Sequence, residues 1–357
     1  MKNNITENFL IRLLILIIFF SVLIRCIAII NTPLELSPDE TQYWLWSKNL
    51  SWGYFSKPPL IAWLINLSNL IFGDYDFAVR LLAPILHGIT ALVIFYLSRE
   101  IISNSVSHFL SSLIWLTLPI VGVGSFLMST DTPLMLIWTV SLLLIIRAYK
   151  AENKTYWIIA GLVSGIGIYA KYASIYLLLG LIIFFLFRIN KNSKFNLSHL
   201  AVFIFSFILI SIPNIVWNLF NNFHTINHLS SNAVIDTPSY SIFGSVIFIL
   251  SQIIVMGPII FFVFCISLLK FKNLNNIFGL ILYFVLPVFF IMILQGFFSE
   301  ANANWAATAL PGISIICGYY LSKRISIALI ALTTNTIICF VILIISITGN
   351  LILFDLK

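Results

Sequence analysis

The feature that most constrains this chain is a succession of apolar runs, at 9–30, 81–97, 108–127, 133–148, 156–170, 173–187, 199–217, 242–269, 277–298, 305–321 and 325–347. A helix crosses the hydrocarbon of a bilayer in about 20 residues, and most of these runs come close to that length. With 61% hydrophobic and only 9% charged residues, and a mean hydropathy of +1.06, the chain is excluded from the soluble globular class. The expected fold is all-α, a polytopic transmembrane helical bundle of about 11 spans. The polar tails and connections are short, so residues 1–357 are read as a single membrane domain with no separate soluble domain. The first run holds Arg12 and Arg25 and is followed by no A-x-A-like site, so it is read as a retained span, not a removable leader.

Charge sets the orientation. With the N-terminus inside, the inner connections hold Lys2, Arg12, Arg99, Arg147, Lys150, Lys154, Arg188, Lys191, Lys194, Lys270, Lys272, Lys323 and Arg324. That asymmetry satisfies the positive-inside rule. The same parity sends Glu35, Asp39, Glu40, Asp74, Asp76, Asp131, Asp236, Glu300 and Asp355 to the outer side. The formal charge of +7 therefore reflects topology and makes no case for nucleic acid binding. Cys26, Cys265, Cys317 and Cys339 lie in or at the ends of spans without metal-like spacing, and no structural disulfide is expected.

The first outer loop, 31–80, contains the one place where charge, aromatics and prolines crowd together, 36–64. Ser37-Pro38-Asp39-Glu40 spells a helix start, with Ser37 as cap, Pro38 at the first helical position and Glu40 closing a capping box. Asp39 is then left free, pointing out of the first turn, where it can accept a proton or orient a hydroxyl. Tyr43, Trp44 and Trp46 follow on that helix, and Trp52, Tyr54 and Phe55 flank the turn at Gly53, a composition suited to the headgroup surface. Lys57 is held extended by Pro58-Pro59, which open a second short helix running to about Phe72. A lysine beside a helix N-terminus suits a phosphate. Taken singly, these residues are also what helix-start acids and snorkelling lysines look like.

Further along, Arg80 opens the second span at the same face, and His87 follows within it as a histidine packed between helices. Asp131 stands at the next outer turn, Met128-Ser129-Thr130-Asp131-Thr132-Pro133, with Thr132 read as cap and Pro133 as first helical residue. Residues 156–187 are apolar except for Lys171. At 1.5 Å per residue they make about 48 Å of helix, so they are read as two short spans with Lys171 at an outer turn. His224 and His228 lie four apart in the loop 218–240, with Asp236 beyond, but no HExxH motif supports a metal. The last outer loop, Ser299-Glu300-Ala301-Asn302-Ala303-Asn304-Trp305, offers amides and an indole that suit a sugar.

Together, Asp39-Glu40 after the first span and Tyr54-Phe55-Ser56-Lys57-Pro58-Pro59-Leu60 resemble the first outer loop of bacterial GT-C glycosyltransferases. The type is that of the protein O-mannosyltransferase-like and lipid A aminoarabinose transferases. Ser129–Pro133 looks like their second acidic turn, Gly161 to Lys171-Tyr172 like their fifth span and its lysine, and Glu300–Trp305 like a late Asn-Trp motif. The resemblance implies a multi-pass protein of the bacterial inner membrane that takes a sugar from a polyprenyl-phosphate donor at the outer, periplasmic face. The acceptor it implies is a glycan, glycolipid or protein. It also implies a base or hydroxyl-orienting role for Asp39, supporting acidic roles for Asp131 and Glu40, and donor phosphate contact by Lys57, Lys171 and Arg80. Tyr43, Tyr54, Glu300, Asn302, Asn304 and Trp305 are its candidates for binding sugar or acceptor.

Two departures stand out. Longer relatives carry a soluble outer domain after their last spans, so acceptor recognition here is expected from membrane-level loops or a partner. Some relatives have an acidic residue, linked to a metal, where this chain has Ser56; a divalent metal stays open as a cofactor, and no metal ligands are assigned. The rival readings are a transporter or flippase for a lipid-linked sugar, which would want ionisable residues deep in several spans, and a non-catalytic GT-C partner subunit. Acids gathered at one mouth favour chemistry at a surface, with Arg25 and Lys171 as the residues that fit a transporter.

Overall fold

The computed structural model describes residues 2–151, 153–188, 195–232, 240–270 and 277–349. Among these, every regular element is helical. In chain order they are α1 (Lys2–Asn31), α2 (Pro38–Ser47), α3 (Leu60–Phe72), α4 (Asp76–Arg80), α5 (Leu82–Ile101), α6 (Ser105–Thr117), α7 (Pro119–Gly124), α8 (Asp131–Ala151) and α9 (Lys154–Ala170). Then follow α10 (Ile175–Arg188), α11 (Leu197–Phe220), α12 (His224–Asn232), α13 (Ile242–Met256), α14 (Pro258–Leu269), α15 (Ile277–Leu280), α16 (Leu282–Phe298), α17 (Leu310–Leu321) and α18 (Ile325–Thr348). Short 3-10 turns occupy Tyr172–Ser174 and Ala303–Ala309.

Among the described residues, five helical segments are long and apolar enough to cross a membrane: Glu7–Asn31, Asp76–Ile101, Asp131–Ala151, Leu197–Phe220 and Ile325–Thr348. The chain is a multi-pass membrane protein. Several of the other expected spans are broken or short. The run 108–127 is divided at Leu118-Pro119 into α6 and α7, because proline cannot continue the preceding helix's hydrogen-bond ladder. The run 242–269, read as one span, turns through 117° between α13 and α14. Gly257 stands at the turn with φ of +82°, a conformation that favours glycine, and Pro258 starts the next helix. The buried Asn335 amide of α18 donates to the Met256 carbonyl at 2.9 Å, which satisfies a group the break would otherwise orphan in an apolar setting.

The main core threads α5, α6, α8, α9, α10, α11, α16 and α17, with Trp115, Trp138, Trp157 and Phe184 fully buried in it. The closest helix pair in it, α9 against α11, depends on small residues. A β-carbon on Gly165 would lie 2.6 Å from the Phe207 carbonyl oxygen, and one on Gly161 would clash with that of Phe203. This is the small-xxx-small approach of membrane helices, and it sets where the C-terminus of α9, and so Lys171, emerges. Gly165→Val is expected to separate the two helices and cost about 1–3 kcal/mol, the usual scale of overpacking. A fall in the thermal unfolding midpoint of the detergent-solubilised protein is the check, and an unchanged midpoint would contradict this packing.

The two ends of the bundle differ. At one end α5 and α8 begin, beside the first loop and the turn at 128–131. At the other, Glu100 accepts from Arg147 and Lys150 at 2.9 Å each, Arg99 pairs with Glu7, and Ser107 at the start of α6 donates to Ser322 after α17. The four cysteines are free thiols. Arg25, buried in α1, donates to Ser125 Oγ at 2.9 Å and the Leu116 carbonyl at 2.8 Å. That arginine joins α1 to the α6–α7 break, where its hydrogen bonds are fully internal.

Candidate active site at the mouth of the bundle

Local sequence builds the first wall. Ser37 caps α2, its hydroxyl accepting from Glu40 N at 3.3 Å while Glu40 Oε2 accepts from Ser37 N at 3.0 Å, the capping box read from the sequence. The same carboxylate does more. Arg80 donates to it twice, Nε to Oε1 and Nη2 to Oε2, both at 2.9 Å, and the pair is buried, with side chains 4% and 1% exposed. Oε1 also accepts from Met128 N at 3.1 Å. Glu40 therefore ties the start of α2 to the start of α5 and to the turn that carries Asp131. Arg80 spends its remaining reach on the carbonyls of Leu34 and Glu35. Expected at the donor phosphate, Arg80 sits instead in this buried clamp.

Asp39, one residue before Glu40, is exposed and makes no ion pair among the described residues. Tyr43, one turn further along α2, is buried with 2% exposure. Its phenol is held well above the ordinary tyrosine value, first by burial, then by the neighbouring Asp39 carboxylate, with Asp131 and Glu40 adding to the effect. Tyr43 is thus a neutral donor placed between the two acidic turns.

The second wall is the Asp131 cluster. Lys171 Nζ donates to Asp131 Oδ1 at 2.7 Å and Asn304 Nδ2 to Oδ2 at 2.9 Å. Three of the expected site residues, far apart in sequence, meet here. Helix α8 opens at Asp131 itself, two residues before the expected start at Pro133, so the carboxylate lies in the first turn, where a helix N-terminus favours it. Lys171 stands at the break between α9 and the Tyr172–Ser174 turn, in extended backbone, as the division of 156–187 into two helices requires.

Lys57 is half-buried and, like Asp39, makes no ion pair among the described residues. Its loop is fastened from behind. Asn214 Nδ2 donates to the Trp52 carbonyl at 2.6 Å, Thr225 Oγ1 to the Tyr54 carbonyl at 2.6 Å, and Tyr172 Oη to Asn214 Oδ1 at 2.8 Å. Asn218 Nδ2 in turn donates to Tyr172 Oη at 2.9 Å. A β-carbon on Gly53 would run into the Trp217 indole, so glycine is needed for the loop to lie this close to α11. Tyr54, expected at the sugar, is a brace: buried, stacked on Trp46 at 4.7 Å, its hydroxyl shared among Ser51 N and the carbonyls of Trp46 and Asn49. These amides of α11 were missed in the sequence. Their signal was there, since Asn214 and Asn218 recur four apart on an otherwise apolar helix.

The remaining candidates divide. Asn302 and Glu300 are exposed beside Asn304, while Trp305 packs against the main core as Ala303–Ala309 turns inward. Gln252 of α13, buried and not anticipated, donates to the Ala303 carbonyl at 3.0 Å and so holds the strip that presents Asn304. His87 is fully buried, 3.5 Å from Thr132 Oγ1 and in ring contact with Trp115. His224 and His228 share a face of α12, as their spacing predicts, and both make tilted ring contacts with Phe55. Asp236 lies outside the described residues. Ser56 is buried with its hydroxyl on Gln42 Oε1, and among the described residues no three His, Cys, Asp or Glu side chains converge as metal ligands. The side chains beside Lys57 do not fit a divalent metal.

With this geometry in view, comparison with known proteins is informative. Residues 56–217 match the family described as dolichyl-phosphate-mannose-protein mannosyltransferase. The lipid A galacturonosyltransferase RgtD of Rhizobium johnstonii is 27% identical over 79% of this chain and 60% of its own length. The undecaprenyl phosphate-alpha-4-amino-4-deoxy-L-arabinose arabinosyl transferase 2 of Proteus mirabilis is 34% identical over 40% of this chain and 29% of its own length. In structure, ArnT from Cupriavidus metallidurans bound to undecaprenyl phosphate aligns over 86% of this chain and 60% of its own, with a TM-score of 0.70 and 17% identity. An oligosaccharyltransferase from Archaeoglobus fulgidus aligns over 91% of this chain and 54% of its own, with a TM-score of 0.58 and 12% identity. The chain spans at most about 60% of these relatives' length.

The fold is that of a GT-C type helical membrane protein, shared with these two solved structures.

Proposed function

We propose that this protein transfers one sugar from a polyprenyl-phosphate carrier to a glycolipid acceptor at the outer face of the bacterial inner membrane. Supporting this reading above all is the Glu40 clamp: one buried carboxylate binds Arg80 and the backbone N–H of Met128, so that the turn carrying Asp39 and the turn carrying Asp131 are tied together. The names of the relatives, which act with undecaprenyl phosphate sugars or on lipid A, give the substrate classes. The concentration of basic residues on the far end supports the inside placement of that end.

In this reaction the bond between the anomeric carbon and the carrier's phosphate oxygen breaks, the electron pair leaves with the phosphate, and an acceptor oxygen bonds to the anomeric carbon. The acceptor's proton goes to Asp39, an exposed carboxylate with no cationic partner among the described residues. A phosphate leaving group needs little protonation, so one base with cations on the phosphate suffices, where a glycosidase would need two carboxylates flanking the bond. Lys57, without an ion pair among the described residues, is the cation for that phosphate. Asp131, already neutralised by Lys171, acts with Asn304 to hold Lys171 and the last loop at the mouth. Arg80 and Tyr54 support the walls, while Glu300 and Asn302 face the acceptor side. The transporter alternative gains nothing from Arg25, whose donors are spent inside the bundle.

Mass spectrometry of envelope glycolipids and polyprenyl-phosphate sugars from cells lacking the protein tests the proposal. One glycolipid is expected to lose a single sugar while one lipid-linked monosaccharide accumulates, both reversed by the wild-type protein. Unchanged pools of both would overturn it.

A further inference from the structure

We propose that the end of the bundle opposite the candidate site carries a headgroup site for an anionic phospholipid, built from Lys270, Lys323 and Arg324 on a platform of Tyr319 and Tyr320. Lys323 Nζ donates to Tyr319 Oη at 2.7 Å and lies 4.1 Å above that ring. Arg324 Cζ lies 4.1 Å above the Tyr320 ring, and Lys270 Nζ reaches Tyr320 Oη at 3.2 Å. Two helix ends thus bring their cations together, α14 through Lys270 and the α17–α18 turn through Lys323 and Arg324. The hydrogen bond from Ser107 to Ser322 places that turn beside the start of α6, away from Asp131.

What sets this cluster apart is that three cations gather on two neighbouring tyrosine rings with no acid among them. Elsewhere at the same end, Arg99 is paired with Glu7, and Arg147 and Lys150 with Glu100. Lys270, Lys323 and Arg324 have no carboxylate partner among the described residues. Tyrosine rings and hydroxyls position cations but leave their charge unneutralised. An anion completes the cluster, and the surroundings specify which kind. Leu269, next to Lys270, is 87% exposed, and Ile325, next to Arg324, is 47% exposed. Cations at the end of membrane helices with bare apolar side chains adjoining them complement an amphiphile, phosphate against the cations and acyl chains along the helices. A lipid with two phosphates matches the cluster better than one with a single phosphate.

Native mass spectrometry of the full-length protein in detergent, titrated separately with cardiolipin, phosphatidylglycerol and phosphatidylethanolamine, tests the site. Cardiolipin is expected to be retained most and phosphatidylethanolamine least. The combined Lys270→Gln, Lys323→Gln, Arg324→Gln variant is expected to bind cardiolipin roughly 100-fold more weakly, at about fivefold per cation removed. Charge-preserving Lys270→Arg with Lys323→Arg keeps binding and shows that the fold tolerates change there, and Arg147→Gln with Lys150→Gln serves as the paired-cation control. Cardiolipin retention by the triple variant equal to wild type would overturn the proposal. So would displacement of cardiolipin by millimolar inorganic phosphate, which would make this a free-anion site.

Discussion

Asp39→Asn is expected to lower sugar transfer by about 10²–10⁴-fold, the usual contribution of a positioned general base, while the protein inserts, purifies and unfolds as wild type does. The asymmetry follows from where the residue stands. Asp39 is exposed and without an ion pair among the described residues, so an amide of the same shape disturbs no packing. Asparagine keeps the size and polarity of the side chain, yet it cannot take a proton from an acceptor. The check is single-turnover transfer from a synthetic polyprenyl-phosphate sugar, with KM measured alongside. A fall in kcat at nearly constant KM supports the base role; transfer at the wild-type rate removes Asp39 from the chemistry and leaves the loop as scaffolding.

Glu40→Ala, one residue away, is expected to act on the fold. It leaves Arg80 buried with its charge uncompensated, a change that typically costs about 3–5 kcal/mol. It also orphans Met128 N and opens the capping box of α2. Thermal unfolding in detergent measures the loss, and the surviving protein should transfer poorly because the Asp39 and Asp131 turns are no longer bound together. Glu40→Ala combined with Arg80→Met removes both charges and is expected to recover part of the stability but not the activity. If Glu40→Ala unfolds as wild type does, the clamp is not what holds the mouth.

Much of the fold could be read from the chain in order. Apolar run lengths place the long helices, Ser37–Glu40 marks the start of α2, Pro58-Pro59 the start of α3, and Lys171 a break between two helices. These are local properties, decided by a few neighbouring residues and the need to satisfy the backbone in lipid. The breaks at Leu118 and Gly257 were harder to read, because hydropathy averaged over a window passes across a single proline or glycine. The candidate site divides in the same way. That Asp39, Asp131, Lys57, Lys171 and Asn304 stand out as polar residues at the outer ends of apolar runs is a property of composition. Which of them pair is not.

Sequence alone determined that this chain is a helical membrane protein with its unusual carboxylates and lysines at one mouth, because hydrophobic length and charge asymmetry act through nearest neighbours and the bilayer. Only the tertiary structure decided that Arg80 closes a buried clamp on Glu40, that Lys171 and Asn304 are spent on Asp131, and that Asp39 and Lys57 have no ionic partner among the described residues. Those assignments depend on which side chains meet across 40 to 173 positions of chain. A charge is neutralised or left available by whatever lies within hydrogen-bonding distance of it, and that is fixed by how the helices pack.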